Sequence, residues 1–164
     1  MTEIPAPTGG RPADPIVDPD VDPELVEGAV GGSGVIGLLG VEVRELTRER
    51  VVMALPVGPR VHQPGGILHG GVSALLAESA ASFGAAISAQ PGHSAVGIEI
   101  NASHLRPIAE GMLIATATPA RKGRTVHVWD IALTDESGLA ICVARCTLAI
   151  RPRVEPANQE GRSG

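Results

Sequence analysis

Glu78 is the only Asp, Glu, Lys or Arg between Val61 and Ile98. Glycine, alanine, serine and aliphatic side chains dominate that stretch, and a carboxylate among them is costly unless something pairs with it or uses it. Upstream lies a glycine-rich loop, Gln63 to Gly71, that leads into an alanine-rich run from about His69 to Ala89. Alanine and leucine favour helix, and Pro91-Gly92 stops the run. The spacing predicts a helix that begins at the glycines and carries Glu78 about two turns in. A helix N-terminus presents unpaired N–H groups and a partial positive charge, which suit a developing oxyanion. Gly70 and Gly71 would let a reacting group approach that backbone closely.

Other chemistries find less in the chain. It has no G-x-S-x-G nucleophile elbow. It has no H-E-x-x-H, and its five histidines, His62, His69, His93, His104 and His127, are scattered, so no metal is expected. Cys142 and Cys146 fall on one face of a predicted strand. Their Cα atoms would be about 13 Å apart, too far for a relaxed disulfide, so both read as buried thiols.

The surrounding elements must position these groups. The chain has 164 residues, 43% hydrophobic and 19% charged, enough for one core-forming domain. Phe83 and Trp129 are its only aromatic residues, so that core is aliphatic. Residues 1–30 hold seven of the acids against one base, which leaves the remainder near neutral and argues against a nucleic-acid binder. No apolar run reads as long enough to span a membrane, no signal-peptide pattern opens the chain, and a cytoplasmic location is expected. Prolines, glycines and acids make residues 1–33 a disordered acidic tail, with a short helix at Pro23 to Val30 capped by Asp22. Residues 34–153 form the folded domain, and residues 154–164 a frayed end.

Within the domain, strands are expected at Val35 to Leu46 and Arg50 to Pro56. After the helix come Ser94 to Leu105, Gly111 to Ala120, Thr125 to Thr134 and Leu139 to Ile150, separated by turn residues. Val72, Leu76, Phe83 and Ile87 share one helical stripe, and most of the opposite face is Ala, Ser and Gly. A helix this apolar is expected to be buried. The fold class is therefore α+β, a curved antiparallel sheet wrapped around one long central helix.

The segment Q-P-G-G-I-L-H-G-G-x6-E, one helix before four strands, resembles the hotdog-fold acyl-CoA thioesterases. It is most similar to the 4-hydroxybenzoyl-CoA and phenylacetate-pathway branch with a mid-helix Glu. The likeness runs from about Gly34 to Arg153 and includes L-R-P at Leu105 to Pro107, K-G-R-T, V-W-D at Val128 to Asp130, and A-I-R-P-R.

This resemblance implies thioester hydrolysis, with an aryl- or medium-chain acyl-CoA as substrate and a 4-hydroxybenzoyl-CoA-like thioester as the leading candidate. It makes Glu78 the nucleophile or general base and sets the Gly70 N–H against the carbonyl. Gln63 matches the position that contacts the thioester. His69 matches the loop His before the catalytic glycine, or is a structural hydrogen bonder. Ser82, one turn after Glu78, can orient the carboxylate or a water. Arg106, Arg124, Thr125 and Arg153 match positions that hold the nucleotide, although Arg124 stands where a small hydroxyl is usual. Coenzyme A enters as part of the substrate, with no separate cofactor and no metal. Dimers sharing sites, paired into tetramers, are the implied assembly. The competing readings are a non-hydrolysing acyl-CoA binding or sensing module, and an acyl-CoA hydratase, which would want an Asp beside His69.

Overall fold

The computed structural model describes residues 14–31 and 34–153. Element order is β1 (Ile16–Val17), α1 (Pro23–Val30), α2 (Gly34–Leu39), β2 (Glu42–Leu46), β3 (Val51–Val57), a 3-10 turn (Pro59–Val61), α3 (Gly70–Ser88), β4 (His93–His104), β5 (Gly111–Lys122), β6 (Val126–Thr134) and β7 (Ala140–Pro152). The strands form one seven-stranded sheet in the order β1-β2-β3-β5-β6-β7-β4. Every pairing is antiparallel except β1 with β2. The sheet is thus mixed rather than wholly antiparallel, and it wraps α3 in the expected hotdog arrangement. β4 follows the helix directly but lies at the far edge, where among the described residues it pairs only with β7.

Alanine and glycine set how closely α3 meets the sheet. Leu76, Ala77, Ala80, Ala81, Gly84, Ala85 and Ile87 form its buried side. At Gly84 an added Cβ would stand 2.5 Å from Cη2 of Trp129. The indole is fully buried against the helix backbone, and only glycine leaves room for it. Cys142 and Cys146 are both buried free thiols, facing the core from β7.

Four further expectations change. The strand expected over Val35 to Leu46 splits into α2 and β2, because Gly34 and Gly40 adopt φ of +63° and +70°. Positive φ at Gly40 closes α2, with Gly40 N–H bonded to Gly37 O and Val41 N–H to Ile36 O. Residues 14–31 belong to the body rather than to a free tail. Ile16–Val17 adds a parallel strand, the Arg48 N–H donates to Asp18 Oδ2 at 2.7 Å, and Val21 and Ala29 are buried. The short helix within that segment has the expected bounds, with Asp22 accepting from the Glu24 N–H and Pro23 in the first turn. At nineteen residues α3 is long and apolar enough, by length and composition alone, to cross a bilayer. Its inner side instead packs against the sheet. The opposite side of α3 is not buried, and Glu78 on its flank is exposed. The expected frayed end lies outside the described residues.

Candidate active site

The first turn of α3 is built by His69. Its backbone is extended, at φ −71° and ψ 126°, and its Nδ1 accepts from the Gly71 N–H at 2.9 Å. That bond makes His69 the N-cap of α3. A ring accepting at Nδ1 carries its proton, when neutral, on Nε2. The cap takes the Gly71 N–H, and the His69 carbonyl takes the Val72 N–H. The Gly70 N–H has no partner among the described residues, and no acidic residue sits in the first turn to offset the helix dipole.

Gly70 opens into a cavity of about 490 Å³. Gln63, Ser73, His104 and Arg106 give it polar walls, and Leu68, Ile108 and Ile141 give it aliphatic ones. Gln63 is held there by its backbone, which donates to Ile67 O at 2.8 Å and accepts from the Gly66 N–H at 3.0 Å. The His104 ring lies on Gly70: a Cβ there would be 2.8 Å from Nε2. Glycine at position 70 therefore answers two needs, backbone access and room for an imidazole. Ser73 and His104 were missed from the sequence. The available signal was the position of His104 at a strand end, just before Leu105-Arg106-Pro107.

Glu78 lies eight residues along the same helix, roughly 12 Å from Gly70. It is outside the cavity. Its carboxylate rests against β4, where a Cβ on Gly97 would be 2.6 Å from Oε1. Gly97 sits at a register shift in β4, so that the strand bulges beside the carboxylate. Ser82 follows on the same flank, also outside the cavity. Burial pushes the Cys146 thiol up to about 11, with the Glu78 and Glu99 carboxylates adding to the effect. A thiol held that high stays protonated and is no nucleophile.

The four proposed nucleotide contacts do not gather in one chain. Thr125 O accepts from Ile150 N–H, and Arg153 N–H donates to Gly92 O, so Arg124, Thr125 and Arg153 share one end of the sheet. Arg106 lies past the other end of the twelve-residue β4, roughly 35–40 Å away. It shares the Gly70 cavity instead, and its Nη1 donates to Ala140 O at 2.9 Å.

Among the described residues no strand lies beside the outer edge of β4, and Val96 and Ile98 on that strand are 54% and 60% exposed. The Glu78 flank of α3 lies next to that open edge.

Comparison with known proteins bears on this arrangement. Residues 65–142, which hold the Gly70 loop, α3 and β4 to β6, match the family model described as Thioesterase superfamily. The chain is 44% identical over 115 residues to the 1,4-dihydroxy-2-naphthoyl-CoA hydrolase of Listeria monocytogenes, covering 70% of this chain and 94% of that protein. It is 38% identical over 112 residues to the proofreading thioesterase EntH of Cronobacter turicensis, covering 68% and 82%. A crystal structure of a Haemophilus influenzae thioesterase superposes with a TM-score of 0.72 at 36% identity, covering 77% of this chain and 88% of that one.

Proposed function

The chain belongs to the thioesterase superfamily and is a thioester hydrolase; from that premise we propose that it hydrolyses an aryl- or medium-chain acyl-CoA, in a site shared between two copies of the chain. The observation that carries this reading is the separation of Gly70 from Glu78. One opens into the cavity with a free N–H, while the other lies outside it beside an unpaired strand edge. The two cannot meet on one carbonyl within a chain, so a copy paired along β4 supplies the carboxylate. The same pairing brings the Arg106 end of one chain toward the Arg124 and Arg153 end of the other, as a bound nucleotide would require.

In this site the thioester carbonyl accepts from the Gly70 N–H and the Gln63 side-chain amide, which stabilise the oxyanion as it forms. Glu78 then acts by one of two routes. It takes a proton from the attacking water, or its carboxylate attacks directly and water cleaves the resulting anhydride; both release the coenzyme A thiol and a carboxylic acid. Arg124, Thr125 and Arg153 hold the phosphates. The naphthoyl-CoA named for the Listeria relative supports an aryl acyl group. The aliphatic cavity walls would accept an aryl ring or a chain, and a 4-hydroxybenzoyl-CoA-like thioester is the leading substrate.

Thiol release from a panel of aryl- and straight-chain acyl-CoAs, run with wild type and Glu78→Gln, tests this. Glu78→Gln should fold and bind, and lose at least about 10²-fold in kcat. Wild-type kcat in a folded Glu78→Gln protein would remove Glu78 from the chemistry. A preference for short aliphatic acyl groups would overturn the substrate class.

A further inference from the structure

The cavity at Gly70 has a rim and a floor of different character. Gln63, His104 and Arg106 are exposed at the rim, while Leu68, Ser73 and Ile141 are buried in the floor, at 7%, 2% and 4% exposure. The floor is thus hydrocarbon with one hydroxyl in it. A buried hydroxyl without a partner is disfavoured. A floor that met only hydrocarbon would be better lined by alanine, which this helix uses freely elsewhere.

Ser73 does not bond its own helix. Ser79, six residues further along, does: its Oγ donates to Leu75 O at 2.7 Å, a usual way for a helical serine to be satisfied. Ser73 makes no side-chain hydrogen bond among the described residues and instead lines the cavity. Its place on the helix limits what it can reach. Residues three apart share one side of a helix, about 5–6 Å apart at Cβ, and side chains lean toward the N-terminus. Ser73 therefore leans over the turn that opens with Gly70.

We propose that Ser73 is a specificity residue, and that its hydroxyl reads a second hydroxyl carried on the second carbon beyond the thioester carbonyl. This rests on the thioesterase reading above, with the carbonyl held on the Gly70 N–H. The Gly70 N–H and the Gln63 amide fill both lone pairs of that oxygen, which leaves Ser73 for the acyl group itself. The coenzyme A arm leaves over the exposed rim, and the acyl group enters the floor. A hydroxyl on the second carbon, folded toward its own carbonyl oxygen, lies about one hydrogen-bond length from it, ~2.7 Å. Oxygen and hydroxyl together bridge the step from Gly70 to Ser73. Two kinds of acyl group carry this chemistry: a 2-hydroxyaryl group, with the hydroxyl beside the thioester on the ring, and a 3-hydroxyacyl chain. A hydroxyl across the ring does not reach Ser73 while the carbonyl stays on Gly70.

Matched thioesters test this: benzoyl-CoA against 2-hydroxybenzoyl-CoA and 4-hydroxybenzoyl-CoA, and butyryl-CoA against 3-hydroxybutyryl-CoA, with wild type and Ser73→Ala. The quantity read is the ratio of kcat/KM within a pair, compared between the two proteins, so that the intrinsic reactivity of each thioester cancels. Ser73→Ala should lower the 2-hydroxybenzoyl-to-benzoyl or the 3-hydroxybutyryl-to-butyryl ratio by about tenfold, the worth of one good hydrogen bond. The 4-hydroxybenzoyl-to-benzoyl ratio should not move. A fall in either sensitive pair supports the inference, the ring pair assigning an aryl group and the chain pair a 3-hydroxyacyl group. A serine that only packs would change all rates together and leave the ratios alone. Ser73→Cys, similar in size but a weak hydrogen bonder, decides the matter if Ser73→Ala does not fold. Ratios that stay at their wild-type values in a folded Ser73 variant would overturn the inference while the thioesterase reading stands. No turnover of any of these thioesters by folded wild type would defeat that reading, and the inference with it.

Discussion

Gly97 is where the strand makes room for the carboxylate of Glu78. A methyl group there would stand 2.6 Å from Oε1, and the carboxylate is the movable partner. Gly97→Ala should therefore swing Glu78 away from β4 at little cost in melting temperature. Misplacing a reacting group by about an ångström can cost roughly 10²-fold in rate. We expect a kcat well below wild type in a protein of nearly unchanged stability; wild-type kcat would mean that the carboxylate does not act from this position. His127 makes a different residue-level prediction. Desolvation by burial lowers its pKa below 6.5, against a weaker opposing hydrogen bond to the Gly123 backbone, and Lys122 lowers it further. The unfolded chain takes up this proton at about pH 6.5 while the folded chain resists. The His127 contribution to stability is thus intact above that pH and is lost as pH falls through it. Melting curves at pH 5 and pH 7.5 should show a smaller acid loss in a folded His127→Leu variant than in wild type.

At the scale of elements, α3 and the strand beneath it are matched through Gly84 and Trp129. Gly84→Ala gains helix propensity, about 0.8–1 kcal/mol. It also forces a methyl group into a fully buried indole, and overpacking of that kind costs about 1–3 kcal/mol. Because the indole is enclosed and cannot step aside, the second effect wins, and the melting temperature should fall. Combining Gly84→Ala with Trp129→Phe should recover part of the loss; a stabilised single variant would contradict the fit. Much of this element was legible beforehand. Its ends were marked by the glycine loop and Pro91-Gly92, and α1 was marked by Asp22 and Pro23. The apolar run Gly34 to Leu39 was misread because six apolar residues fit a strand or a helix equally, and the glycine φ values that decide between them are set by tertiary packing. His104 was missed for a related reason: a strand-end histidine gains meaning only when the fold lays it on Gly70.

The whole molecule explains the largest departure from the sequence reading. An apolar helix with a lone carboxylate reads as buried all round, yet the flank that carries Glu78 is open in one chain. The proposed shared site would set a second copy of the chain against that flank along β4, since a strand of this length that has one side without a strand among the described residues is a template for pairing. The central claim is that Gln63 and Gly70 of one chain work with Glu78 of another. Mixed assemblies of a Gln63→Ala chain and a Glu78→Gln chain test it directly. Each variant alone should hydrolyse acyl-CoA at a small fraction of the wild-type rate. Co-expressed and purified as a mixed assembly through two different tags, they should recover roughly half of the wild-type activity per dimer, because one of the two sites regains all three groups. Mixed assemblies no more active than the average of the two parent variants would place the whole site within a single chain and contradict the account.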